Sequence, residues 1–97
     1  MGWYYETMHF VYMVRNPYKD LYVGITDDPK QRLKYHNENR SALFTERDSK
    51  FEIVFLEKHL TLADARKREI KVKKWRRNKK DMLIERYKNS GRTKRPA

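Results

Sequence analysis

The chain contains no cysteine. Disulfide staples, thiolate zinc sites and thiol nucleophiles are therefore excluded, and the absence fits a reducing compartment. No run approaches the roughly 20 uninterrupted apolar residues of a membrane helix, and hydrophobic and charged residues each make up 38% of the sequence. Residues 1–10 lack the basic stretch followed by an apolar core that marks a secretory signal. The expected compartment is the cytoplasm, with nucleoid association left open, and no membrane partner is expected. There is no internal repeat and no low-complexity segment. What remains is a single small domain of 97 residues. A chain of that length buries roughly two thirds of its unfolded surface, enough for one core and not for two.

The net charge of +11 is unevenly placed. Residues 1–60 hold nine basic and nine acidic side chains, whereas residues 61–97 hold fifteen basic and four acidic ones. Between Arg66 and Lys80, ten of fifteen residues are Lys or Arg, and Glu69 is the one acid. So dense a cluster repels itself unless solvated or matched by an anion, and the abundant intracellular polyanion is nucleic acid. Arg66, Lys67, Lys71, Lys74, Arg76, Arg77, Lys79 and Lys80 are the candidate phosphate contacts. A solvated helix surface is the plainer alternative.

His9–Val14 and Leu21–Ile25 are short β-prone runs separated by the turn formers Asn16, Pro17, Lys19 and Asp20, which reads as a hairpin. Asp28 is a helix N-cap, Pro29 suits the first helical position, and Gln31 stands where a capping partner belongs. A helix is predicted from Pro29 to about Asn39. Residues 40–50 read as irregular, with Leu43 and Phe44 pinning a loop. Phe51–Glu57 is a third strand, apolar enough to be expected at the centre of the sheet. Thr61 with Asp64 caps a helix predicted to reach Trp75, and a last helix is predicted over Lys79–Lys88. Residues 89–97 read as a disordered basic tail. The predicted class is α/β in the broad sense, more strictly α+β, in the order ββαβαα.

Several residues stand where packing alone does not require them. Tyr12 and Tyr22 lie on the two hairpin strands and can share a sheet face, although tyrosine pairs in hairpins commonly serve packing. Gly24 weakens a strand interior, which marks the close approach of another backbone or a ligand. Arg32 and His36 are four apart on one helix face. Together they suit an anion, since arginine forks onto phosphate oxygens and histidine donates a hydrogen bond or a proton. Glu69 lies about 20° around its helix from Leu62, between Ala65 and Val72 on one side and Ala63 and Ile70 on the other. It therefore points toward the core side. A carboxylate there needs a cation, either a neighbouring Lys or Arg or a bound metal.

Tyr12, Tyr22-Val23-Gly24, Arg32, His36 and Glu69, in that order and spacing, resemble the GIY-YIG nuclease domain. The first motif reads Phe10-Val11-Tyr12 and the second Tyr22-Val23-Gly24. The stretches Leu21–Arg32, His36-Asn37 and Arg68–Glu85 are most similar to the short, single-domain bacterial branch of that superfamily. The resemblance spans residues 9–86 within a domain read as 1–88. It implies a small three-stranded antiparallel sheet flanked by helices. It also implies that Tyr12 is general base or water-positioning group, Tyr22 a second phenol near the scissile phosphate and Arg32 a phosphate-charge stabiliser. His36 would transfer a proton or hold the phosphate, and Glu69 would be the one protein ligand of Mg²⁺ or Mn²⁺. Phe10 replaces the glycine of the first motif, and Ile25 follows the second where some repair nucleases have lysine.

Two functions follow. One is a metal-dependent endonuclease hydrolysing DNA phosphodiesters, selective for structure because so short a chain offers little surface for reading bases, with targeting left to a partner protein. The other is a nucleic-acid binding module that keeps the fold without cutting. RNA remains open as the polymer.

Overall fold

A computed structural model describes residues 8–38 and 50–90. Its elements are β1 (His9–Arg15), β2 (Leu21–Thr26), α1 (Pro29–Glu38), β3 (Glu52–His59), α2 (Leu62–Lys73) and α3 (Arg77–Ser90). The order is ββαβαα, an α+β fold around one three-stranded antiparallel sheet, as the sequence indicates. No described helix is long and apolar enough to cross a membrane.

The sheet order is β2-β1-β3, so β1 is the central strand and β3 an edge. This corrects the expectation for the third strand. Apolar content does not distinguish a strand buried between two neighbours from an edge strand covered by helices. In β1 four consecutive residues, Val11 to Val14, are buried, so both of its faces are covered. β3 is packed by α2 and α3, and a register shift opposite Met13 and Val14 leaves Val54 as an extra residue turned to the core. The core joins Val11 and Met13 of β1, Val54 and Phe55 of β3, Ala65 and Val72 of α2 and Ile84 of α3.

The hairpin turn is built by Asn16, which is buried. Its Oδ1 accepts from the Tyr18 and Asp20 amides at 3.0 and 2.9 Å, and its Nδ2 donates to Asp20 at 2.9 Å. Lys19 consequently takes φ 68°, a left-handed conformation uncommon for a side chain of this kind. The caps behave as expected: Asp28 Oδ1 accepts from the Gln31 amide at 3.1 Å, and Thr61 Oγ1 from the Asp64 amide at 3.1 Å.

Several element boundaries differ from expectation. β3 begins one residue later than predicted and runs on to His59, because Glu57 and His59 are buried partners, hydrogen-bonded at 2.7 Å. α2 ends at Lys73, before Trp75. α3 starts at Arg77, earlier than predicted, where the Arg76 carbonyl accepts from the Lys79 and Lys80 amides. It continues through Ser90, so Asn89 and Ser90 are helical rather than part of a tail. The loop assigned to residues 40–49, with Leu43 and Phe44, and the tail from residue 91 lie outside the described residues.

Candidate active site

Strand register decides which hairpin side chains meet. Tyr12 pairs with Gly24 and Val14 with Tyr22. Side chains alternate along a strand, so Tyr12, Tyr22 and Gly24 share the face opposite Val11, Met13 and Val23. A Cβ placed on Gly24 would stand 2.6 Å from the Tyr12 hydroxyl and 2.7 Å from its Cζ. The close approach inferred at Gly24 is real, but the approaching group is the Tyr12 ring rather than a backbone or a ligand. Glycine here is what allows a tyrosine to lie flat across its cross-strand neighbour.

On α1, Arg32 and His36 fall on one face, and His36 reaches the sheet. Tyr12 Oη lies 2.9 Å from His36 Nε2. The His36 ring sits 5.7 Å from that of Tyr12 and 5.9 Å from that of Tyr22. Phe51 closes the group, 5.4 Å from Tyr22 and 5.8 Å from His36. No residue of α1 is fully buried, so polar contacts position this helix more than apolar packing does. Asn37 provides two of them, accepting from the Phe51 amide at 2.7 Å and donating to its carbonyl at 3.3 Å.

Burial raises the Tyr12 phenol above its ordinary 10.0; nearby Arg32 opposes the shift and Glu69 adds to it. Burial also lowers the His36 imidazole below 6.5, and Arg32 lowers it further. Both groups are therefore neutral near pH 7, and with the imidazole proton on Nδ1 the phenol donates to the Nε2 lone pair. The same interactions place Arg32 and Glu69 within electrostatic reach of the Tyr12 hydroxyl. Tyr12 of β1 and His36 of α1 thus meet, with Arg32 and Glu69 in electrostatic reach and Tyr22 half-exposed beside them.

Glu69 points inward as its helical position indicates, with 13% of its side chain exposed. Its Oε2 pairs with Lys73 Nζ at 3.1 Å, and Lys73 is 53% exposed. The sequence carries the signal for this pair, a Glu followed four residues later by a Lys. A magnesium-type cation keeps several waters and takes one or two carboxylates, so a carboxylate with one oxygen free of Lys73 fits such an ion. Among the described residues no cluster of three or more His, Asp or Glu forms an all-protein metal cage.

The basic segment divides. At about 100° per residue, Lys67, Lys71 and Lys74 lie about 140–160° around α2 from Glu69, so they form a solvent stripe directed away from it. Arg66 is about 60° away, nearer the site. Arg77 is engaged within the fold, donating to Asp81 at 3.0 Å and to the Lys19 carbonyl at 2.8 Å. Lys79 caps the Trp75 ring at 4.2 Å, and Lys80 is half-buried while Arg76 is exposed. Phe51, Asn37 and Lys73 are additions to the residues singled out from sequence. Nothing in the local pattern around Phe51 announces its role, because the contacts that define it come from β2 and α1.

Comparison with known proteins identifies the family. The GIY-YIG catalytic domain matches residues 8–82. The chain is 35% identical over 82 residues to the UPF0213 protein YazA of Bacillus subtilis, covering 84% of this chain and 83% of that protein. It is 36% identical over 76 residues to a UPF0213 protein of Staphylococcus aureus, covering 78% of this chain and 93% of the relative. It is also 30% identical over 80 residues to UPF0213 protein OB0043 of Oceanobacillus iheyensis, covering 82% and 93%. No solved structure gives a significant match. The chain belongs to the GIY-YIG family.

Proposed function

We propose that this GIY-YIG family member is a divalent-metal-dependent endonuclease that hydrolyses DNA phosphodiester bonds and selects its substrate by structure rather than base sequence. The observation that carries the reading is the 2.9 Å contact between the Tyr12 hydroxyl and His36 Nε2, with Arg32 and Glu69 in electrostatic reach of the hydroxyl. A buried phenol on a neutral imidazole is a proton relay. As a water oxygen attacks phosphorus, its proton passes to Tyr12 Oη while the phenol proton passes to His36 Nε2, and the bond from phosphorus to the leaving oxygen breaks. The leaving oxygen takes its proton from the imidazolium so formed or from solvent. Arg32 holds the phosphate and offsets the charge that grows on its nonbridging oxygens. Tyr22 and Phe51 keep the imidazole plane in place. Glu69 would hold Mg²⁺ or Mn²⁺, which supplies Lewis-acid stabilisation of phosphate charge when bound.

The test is incubation of labelled linear, nicked and branched DNA, and RNA of the same sequence, with and without Mg²⁺ or Mn²⁺. Metal-dependent scission favouring one DNA structure supports the reading. Salt-dependent binding of all of them with no scission would replace it with a non-cleaving binding module. Equal cutting of RNA would widen the substrate.

A further inference from the structure

We propose that the strand flanking the scissile phosphate runs through a groove between the β1–β2 turn and the start of β3, with Arg15, Lys19 and Lys50 as its phosphate contacts. The inference rests on the nuclease reading and locates its substrate. The groove encloses about 700 Å³, and its walls include Arg15, Asn16, Lys19, Lys50, Phe51 and Glu52. Among its described lining residues three cations stand against one carboxylate, which makes it a cationic channel. No carboxylate of the described residues pairs with Arg15, Lys19 or Lys50, which leaves their charge for a ligand.

The groove is connected to the chemistry. Phe51 lines it and at the same time packs 5.4 Å from Tyr22 and 5.8 Å from His36. A strand leaving the Tyr12–His36 pair past these rings enters the groove directly. The outer wall is held firmly. Asn16 fixes the turn through three side-chain hydrogen bonds. The Lys19 amide donates to the Asn16 carbonyl at 2.9 Å, and the Lys19 carbonyl accepts from Arg77 at 2.8 Å. A left-handed, non-glycine backbone held from both sides sets the origin of the Lys19 side chain, a strain that clusters at ligand sites. The denser cations of α2 do not serve this path, because the Lys67–Lys71–Lys74 stripe is turned away from Glu69. The proposed track therefore uses cations outside the dense basic segment, and the Lys67–Lys71–Lys74 stripe forms a separate surface.

The test compares the full chain with two triple variants, Arg15→Gln/Lys19→Gln/Lys50→Gln and Lys67→Gln/Lys71→Gln/Lys74→Gln. Affinity for a fluorescent DNA oligonucleotide is measured from 50 to 200 mM salt, with KM and kcat for cleavage alongside. The groove variant is expected to lower the slope of log affinity against log salt by about 2–3, at 0.7–0.9 per lost phosphate contact. It should raise KM while kcat changes little. The α2 variant should keep its KM near that of the unaltered chain. A groove variant with an unchanged slope and KM overturns the proposal, while cleavage by the unaltered chain would still uphold the nuclease reading. Absence of cleavage by the unaltered chain, with binding that depends on the groove, rejects the nuclease reading instead and leaves the track as a binding surface. If Arg15→Gln lowers the melting temperature, Lys19→Gln/Lys50→Gln carries the same test, with about two thirds of the effect expected.

Discussion

Strand β3 and helix α2 each contain a largely buried glutamate, and they treat it in opposite ways. Glu57 on β3 accepts from Arg68 at 2.9 and 3.3 Å and lies 2.7 Å from His59 Nε2. Arg68 in turn stacks 5.1 Å over Trp75, so this network ties β3, α2 and the α2–α3 junction together. Glu69, the next residue along α2 from Arg68, has a single half-exposed lysine on one oxygen. A buried carboxylate saturated by a guanidinium and an imidazole has no capacity left, and its removal strands the guanidinium of Arg68. A carboxylate held by one mobile ammonium can exchange that partner for another cation. Adjacent positions on one helix therefore serve structure and, on the proposed reading, chemistry. The number and exposure of each glutamate's partners makes the distinction, whereas residue type does not.

The largest expected effects break this comparison directly. Glu69→Gln keeps the shape of the side chain and removes the charge that a divalent ion needs, so metal-dependent cleavage should be lost while the metal-free melting temperature shifts little and DNA binding holds or improves. Glu57→Gln should do the reverse. Stranding Arg68 should lower stability by about 3 kcal/mol, discounted from the upper range because Arg68 is partly exposed, with cleavage per folded molecule retained. Melting curves without metal and cleavage rates with it, on both variants, decide the matter. A destabilised Glu69→Gln that still cuts would remove Glu69 from the site.

Arg32→Gln should slow cleavage by about 100-fold, the scale of losing one charge-stabilising donor, with the fold nearly intact because Arg32 is exposed. Its pH profile is more specific. The relay needs neutral His36, and burial with Arg32 holds that imidazole below 6.5. The acid limb of kcat/KM should therefore lie below pH 6.5. Removing the guanidinium removes its repulsion of the imidazolium, so the His36 pKa rises and the acid limb moves to higher pH. A limb that stays in place would show that Arg32 does not act on His36.

Gly24→Ala places a methyl within 2.8 Å of the Tyr12 hydroxyl and two of its ring atoms in a buried setting. The ring must shift, at about 1–3 kcal/mol for overpacking, and the bond to His36 must lengthen. Both melting temperature and cleavage rate should fall. A variant with wild-type values for both would mean that the ring relaxes without consequence.

Most of the fold was legible because its signals are local. The caps at Asp28 and Thr61, the turn formers between β1 and β2 and the period of α2 need no tertiary knowledge, and each is found where expected. The inward direction of Glu69 follows from helix geometry alone. Strand order was not legible, since whether β1 or β3 is central depends on which helices cover which edge. The occupant beside Gly24 was equally hidden: a glycine announces that something comes close, and register identifies the something as Tyr12. The faces of the basic segment were not legible as a run, because a run in sequence becomes opposing faces when wound into a helix. Lys73 could have been read from its spacing to Glu69, but a surface-type i,i+4 pair carries no sign that its acid is buried.

Lys73→Gln is the finest test, because it removes the one contact that distinguishes a resting Glu69 from a free one. Lys73 is 53% exposed, so the pair is worth about 0.5 kcal/mol and the melting temperature should barely change. If the ammonium occupies the position that a divalent ion takes, removing it frees the carboxylate. Mn²⁺ binding measured by calorimetry on the metal-free protein should then tighten by about two- to fivefold, equivalent to ~0.5–1 kcal/mol for a partly exposed ion pair. If Lys73 instead fixes the direction of Glu69 for the metal, the same change should weaken Mn²⁺ binding. The sign of that small shift decides whether the lysine competes with the cation or prepares the carboxylate for it.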